Sequence, residues 1–300
     1  MQQNIDQVTI NFDVDSLLLL NITLAIIMFG VALNITFQDF KQILKNPKPV
    51  FVGVVSQFIL LPALTFLLVW LIKPTPSIAL GMFMVAACPG GNISNFMTHY
   101  AKGNAALSVS LTAIATVLAL VMTPLNFQFW ASLYAPSEQL LKTISISPLD
   151  MVEVMFLLLG LPLLLGMATR KFFPKFAIAS ASYFKIGSIL FFLLLIVLAF
   201  SKNIAVFLGY IKYVFVLVVV HNFIAFITGY SIASVFKLSK KNKRTVAIET
   251  GIQNSGLGLL LIFTFFDGLG GMALLAAFWG IWHIISGIIL ASYWSKKKIV

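Results

Sequence analysis

Apolar runs long enough to cross a lipid bilayer recur through most of this chain, and they leave few folds open to it. A helix needs about 20 apolar residues to span the hydrocarbon, where every backbone polar group must be satisfied without water. Nine such runs are read, at 16–37, 50–72, 76–99, 105–126, 149–169, 183–201, 211–236, 245–266 and 271–294. Each is expected to be a helix, because an isolated strand leaves its backbone unpaired in lipid. The chain is therefore read as an all-α integral membrane protein with nine transmembrane helices. Its charged fraction of 10% is well below the ~25% of an average soluble domain.

The basic residues orient these spans. With the N-terminus outside, the inside holds Lys41, Lys45, Lys48, Lys102, Arg170, Lys171, Lys175, Lys185, Lys237, Lys240, Lys241, Lys243, Arg244, Lys296, Lys297 and Lys298. The outside holds Lys73, Lys142, Lys202 and Lys212, so the count is sixteen against four. That is a positive-inside pattern. It makes 1–15 an extracytoplasmic N-terminal segment, 16–294 the membrane domain and 295–300 a cytoplasmic tail, with the cell (inner) membrane as the expected location. The net charge of +11 does not indicate a nucleic-acid partner, because the basic residues are dispersed over loops on one side, where anionic lipid is the expected contact. No cleavable signal peptide is expected, since the first fifteen residues carry Asp6, Asp13 and Asp15 and no basic residue. The single cysteine, Cys88, excludes an internal disulfide and a multi-cysteine metal site. No obligate protein partner is indicated.

Two spans are interrupted by small and polar residues. The eighth reads Ile248-Glu249-Thr250-Gly251-Ile252-Gln253-Asn254-Ser255-Gly256 between apolar flanks, and Glu249 is the carboxylate that lies deep within a hydrophobic segment. Such a group costs ~2.5–3.5 kcal/mol on insertion scales, so something must offset it. The third reads Ala86-Ala87-Cys88-Pro89-Gly90-Gly91-Asn92-Ile93-Ser94-Asn95. Pro89 removes a backbone donor, and the glycines permit non-helical angles. Unwound backbone at membrane depth is tolerated where protein or a watery cavity satisfies it, and in secondary transporters it marks ion and substrate sites. The plainer reading is a polar helix face with Glu249 protonated.

Spans three and eight are five apart and so cross in opposite directions. The start of span two, from Lys48 to Phe58, also aligns with the start of span seven, from Lys212 to Asn222, a register that matches Gln57 with His221. Together these pairs indicate an inverted repeat, with spans one to four a truncated half and five to nine a full one.

A hard cation such as sodium takes oxygen ligands from carboxylates, amides, hydroxyls and unwound carbonyls, while half-helix N-termini face an anion. Ser108 and Thr112 are four apart and share a helix face; they are either ligands or hydroxyls bonded to their own helix. Gln57 stands in a span otherwise free of amides. His283, and the His221-Asn222 pair, fit a helix–helix bond, a proton carrier or a substrate contact equally; His99 reads as interfacial. The histidines share no metal-ligand spacing, and there is no nucleophile elbow, phosphate loop or intramembrane aspartate pair. The chain is accordingly not read as an enzyme.

Cys88-Pro89-Gly90-Gly91-x-x-Ser94-Asn95, Gly103-Asn104-x-Ala106-Leu107-Ser108 and Glu249-x-Gly251-x-Gln253-Asn254-Ser255-Gly256 resemble motifs of the bile acid:sodium symporter family. The resemblance runs from about residue 22 to residue 295. It implies a core domain built on two crossing broken helices, here spans two, three, four, seven, eight and nine, and a panel domain of spans one, five and six. It implies two sodium sites. One would use Ser94, Asn95, Ser108, Thr112 and Glu249. The other would use Gln57, Glu249 and Gln253 with backbone oxygens of Thr250 and Ile252. The substrate would lie between panel and core beside Asn92, Ile93, Asn254 and His283. Some members carry an amide after the span-nine histidine, where this chain has Ile284.

The expected function is sodium-coupled symport of a small organic anion, bile acid-like or a small carboxylate such as pantoate, by alternating access. A proton-coupled anion carrier or cation/proton exchanger, in which Glu249 titrates, is one alternative. A non-transporting membrane sensor is another.

Overall fold

The computed structural model describes residues 5–9, 14–36, 46–91, 93–144, 148–202 and 204–297. Its helices follow from the apolar runs. They are α1 (Val14–Ala32), α2 (Pro47–Val55, a wider turn at Ser56–Leu60, then Leu61–Ile72), α3 (Pro76–Ala87), α4 (Ile93–Tyr100), α5 (Ala105–Leu133) and α6 (Ala135–Ile144). They continue as α7 (Pro148–Met155, a wider turn at Phe156–Gly160, then Leu161–Phe172), α8 (Pro174–Lys202), α9 (Ile204–Val235), α10 (Lys240–Gly251), α11 (Ser255–Phe265) and α12 (Gly270–Lys296).

Among the described residues, five helices are long and apolar enough to cross a membrane: Pro47–Ile72, Ala105–Leu133, Leu149–Phe172, Leu208–Val235 and Gly270–Lys296. Asn21–Ala32, Pro76–Ala87 and Ser255–Phe265 are shorter apolar helices. The third and eighth spans are thus each divided, into α3 with α4 and α10 with α11. Several ends differ from the sequence reading: α8 begins at Pro174 and α9 at Ile204, ahead of the spans read at 183–201 and 211–236. α5 runs on to Leu133, since Pro124 is accommodated inside it, and α10 begins at Lys240, where Ser239 caps it by accepting from Asn242 N. The eighth span therefore starts inside what reads as a basic loop, and Arg244 is buried.

The two wide turns have a common cause. Pro62 and Pro162 each follow one. A proline lacks an N–H and its ring crowds the carbonyl four residues back, so the ladder opens locally. In α2 this turn carries the buried Ser56 and Gln57.

α1 packs on α7 and α8, and α7 on α8. A larger set packs around α3, which contacts α2, α5 and α12. α11 lies on α12, and α9 lies along α10 and α12. α3 is buried from Ser77 to Ala87, as expected of a short helix that is apolar all round. Leu80, Met84, Leu260, Leu275 and Trp279 belong to the main apolar cluster. Residues 5–9 lie against this body. Ile5 is buried, the Asp6 carboxylate accepts from Ser77 N at 2.8 Å at the start of α3, and Gly270 N donates to Val8 O at 2.7 Å.

Candidate ion and substrate site

The two interruptions meet. Beyond Ala87 the chain turns extended at Cys88 (φ −67°, ψ 154°), and beyond Gly251 it does so at Ile252 (φ −106°, ψ 101°). The two unwound segments pair antiparallel: Gly91 N donates to Ile252 O and Asn254 N donates to Pro89 O, both at 2.8 Å. A broken helix leaves orphan carbonyls, and in lipid each must find a donor. Thr123 Oγ1 donates to Ala87 O and Gln57 Nε2 to Cys88 O, both at 2.8 Å. On the other segment Gln253 Nε2 donates to Thr250 O at 2.6 Å, and Asn222 Nδ2 donates to Gly251 O at 2.8 Å. Asn254 then starts α11 by accepting from Leu257 N at 3.1 Å.

Glu249 lies beside this crossing, 5% exposed. Its Oε1 accepts from Ser94 Oγ at 2.6 Å and from Ser108 Oγ. Its Oε2 accepts from Thr112 Oγ1 at 3.1 Å, and Asn95 Oδ1 lies 3.4 Å from that same hydroxyl. Ser94 and Asn95 come from α4 and Ser108 and Thr112 from one face of α5. Among the described residues no cationic side chain pairs with Glu249, whose carboxylate is met by hydroxyls alone. Each hydroxyl that donates to the carboxylate keeps acceptor lone pairs of its own. The cluster therefore presents oxygen and negative charge together.

A second polar cluster flanks it. Gln57 and Gln253 exchange hydrogen bonds through both amide ends, at 2.8 and 3.1 Å, and Ser56 Oγ bonds Thr250 Oγ1 at 2.8 Å. Gly90 stands between the clusters. A Cβ there would meet Glu249 O at 3.2 Å, Glu249 Oε2 at 3.3 Å and Ile252 O at 3.7 Å. Three oxygens thus converge on space that only glycine leaves open.

A cavity of about 470 Å³ adjoins the crossing. Leu24, Ile27, Val31 and Asn34 of the α1 region and Ala181 and Ser182 of α8 form one wall. Ile93, Asn95, Asn254, Ser255 and His283 are on the facing wall, so the first residues of α4 and α11 border it. No charged side chain lines it among the described residues. Ile284 also faces the cavity.

The sequence-selected residues thus fall into three groups: Ser94, Asn95, Ser108 and Thr112 around Glu249; Gln57, Thr250 and Gln253 together with the Ile252 carbonyl; and Ile93, Asn254 and His283 at the cavity. Asn92 lies outside the described residues. His221 does not join Gln57. It is buried against Trp279, with Nε2 2.7 Å from Thr65 Oγ1. His99 is exposed. The braces are less legible in the sequence: Asn222 makes the helix–helix bond that is one of the three readings of the His221-Asn222 pair, and Thr123 carries no signal. Arg244 reads from sequence as a loop cation. Its guanidinium donates to Ala101 O at 2.7 Å, Trp294 O at 3.0 Å and Lys297 O at 3.3 Å, where helix C-termini favour a cation.

Apolar helices enclosing two crossed, interrupted helices, a buried carboxylate and an adjoining cavity define a membrane protein of the secondary-transporter type. A profile of the Sodium Bile acid symporter family matches residues 21–210, and the chain belongs to that family of sodium-dependent transporters. It is 34% identical to the uncharacterized sodium-dependent transporter YocS of Bacillus subtilis (strain 168), over 93% of this chain and 83% of the relative. It is 30% identical to the probable sodium/metabolite cotransporter BASS2, chloroplastic, of Oryza sativa subsp. japonica, over 94% of this chain and 65% of that protein. It is 29% identical to the ileal sodium/bile acid cotransporter of Homo sapiens, over 79% and 67%.

Proposed function

We propose that the protein carries a small organic anion across the membrane together with sodium, by alternating access. The observation that carries this reading is the setting of Glu249: a membrane-buried carboxylate with no cationic partner among the described residues, ringed by neutral oxygen groups from α4 and α5. A sodium ion offsets that charge in a way hydroxyls alone do not. One ion would take Ser94, Asn95, Ser108, Thr112 and Glu249. A second would use Gln57, Glu249, Gln253 and the Thr250 and Ile252 carbonyls. The converging oxygens at Gly90 support a cation there. The cavity between the α1, α7, α8 group and the crossing would take the anion, with its charge at the N-termini of α4 and α11 and beside His283. The names of the relatives, for bile acid and for metabolites, support an organic anion.

In this reading α1, α7 and α8 form the panel, and the helices around α3 form the core. With the N-terminus outside, Asn34 and Ser182 lie toward the cytoplasmic ends of α1 and α8, which supports access to the cavity from the cytoplasmic side. Two sodium ions with one monoanion move one positive charge, which the membrane potential drives by ~2.3 kcal/mol per 100 mV. Ligands act on such an equilibrium through their different affinities for its two states.

The deciding experiment is the thermal midpoint of the purified protein in sodium against potassium, with Glu249→Ala alongside. A sodium-specific rise lost in the variant is the expected result, because a ligand selective for the folded state stabilises it. Equal midpoints in the two salts for the unmodified protein would refute the ion site, and uptake driven by a pH gradient without sodium would replace symport with proton coupling.

A further inference from the structure

Asn222 takes no part in the sites assigned above. It projects from α9, is 1% exposed and does not line the cavity. Its Nδ2 donates to Gly251 O at 2.8 Å, at the end of α10 where the second break begins. Its Oδ1 accepts from Ser286 Oγ of α12 at 2.6 Å. The Gly251 carbonyl only accepts, so the amide must turn its nitrogen toward it. Oδ1 is then left to accept from Ser286, whose single hydroxyl proton favours it at 2.6 Å over His283 O at 3.2 Å.

We propose that Asn222, oriented by Ser286, is a positioning residue for the sodium ion at the second break. This rests on the sodium-coupled reading. The peptide group joining Gly251 and Ile252 is held at both ends: its carbonyl by Asn222 and its N–H by Ile248 O at 2.9 Å. With that plane fixed, the carbonyls on either side are also aimed. Thr250 O stays toward Gln253, and Ile252 O stays toward Gly91 and the space above Gly90. Those are the backbone oxygens offered to the ion. The first break needs no such brace on its N–H side. There the corresponding plane joins Cys88 to Pro89, its carbonyl is held by Gln57, and proline has no N–H and a fixed φ. Gly251 must also be glycine, because a Cβ there would lie 2.2 Å from the Phe226 ring of α9. The same helix thus presses on the break and holds its carbonyl. Without the amide, the plane is held only by its N–H and can swing about that bond, and the two flanking oxygens lose their common aim.

The test uses the purified full-length chain and sodium chloride alone, with potassium chloride keeping ionic strength constant. The readout is the sodium concentration giving half of the sodium-specific rise in thermal midpoint. Asn222→Ala is expected to raise it about tenfold, the ~1.4 kcal/mol scale of one orienting hydrogen bond. Ser286→Ala should raise it less, Ser286→Thr should restore it, and the double variant should match Asn222→Ala alone. A purely structural brace would lower the midpoint in both salts and leave the half-saturating sodium unchanged; that result overturns the proposal. If Asn222→Ala does not fold, Ser286→Ala decides: an unchanged half-saturating sodium overturns it equally. A lack of sodium response in the unmodified protein is a separate outcome and rejects the sodium reading itself.

Discussion

The two breaks meet at one point yet are built from different materials. From Cys88 to Gly91 the chain opens through proline and glycine, residues that alter backbone geometry and bring little chemistry. Between Gly251 and Ser255 it opens through Ile252, Gln253 and Asn254, with Glu249 and Thr250 in the last turn before it. The first segment is slim, so the second can approach within hydrogen-bond distance. The second supplies the carboxylate and the amide. Both are braced by amides from the helix beside them, Gln57 for the first and Asn222 for the second. A site needs side chains on one partner and room on the other; reversing those roles at any position should cost binding.

The largest effect is expected at the chemistry-bearing break. Glu249→Ala should abolish the sodium-dependent rise in midpoint, which amounts to about 2.7 kcal/mol when sodium is a hundredfold above its Kd. Its potassium baseline should remain that of a folded protein. A retained sodium response would erase the division of labour between the breaks. Gly251→Ala, on the same segment, should fail differently. Its new methyl meets Phe226, so the midpoint should fall in sodium and potassium alike, by the ~1–3 kcal/mol of an overpacked core.

Gly90→Ala sharpens the contrast from the other side. The added carbon points at Glu249 O and Oε2, and it should weaken sodium binding by about tenfold, or ~1.4 kcal/mol, with little change in potassium. A loss equal in both salts would mean that Gly90 serves only the backbone. The smallest effect on sodium binding is expected at Thr123→Val. It removes the donor to Ala87 O, and an unsatisfied buried carbonyl costs ~1–3 kcal/mol. Chemical denaturation should detect that loss with the half-saturating sodium unaltered, because the brace sits on the backbone-only break and away from Glu249.

Much of this arrangement is legible in the residues themselves. Lipid leaves a helix as the form open to a long apolar run, and it makes a lone carboxylate, or a Cys-Pro-Gly-Gly interruption, conspicuous. The spans, the two breaks and the oxygen-bearing side chains near them are therefore visible in one dimension. The repeat register was less informative. It set Gln57 against His221, whereas the residue that holds the second break as Gln57 holds the first is Asn222, one position on. A one-residue step turns a side chain by about 100° around a helix, so a loose match of valines and phenylalanines does not distinguish the two.

By itself the sequence determined that this chain is a helical membrane protein with a carboxylate to be neutralised, because the cost of polar groups in hydrocarbon depends on residue type and segment length. Only the tertiary structure decided which partners satisfy the broken backbone. Thr123, Asn222 and Arg244 reach carbonyls 36, 29 and up to 143 residues away, and such long-range pairing has no period along the chain. The same holds for the space above Gly90. It exists because two unwound segments pass in contact, and their separation is set by packing among α2, α5, α9 and α12.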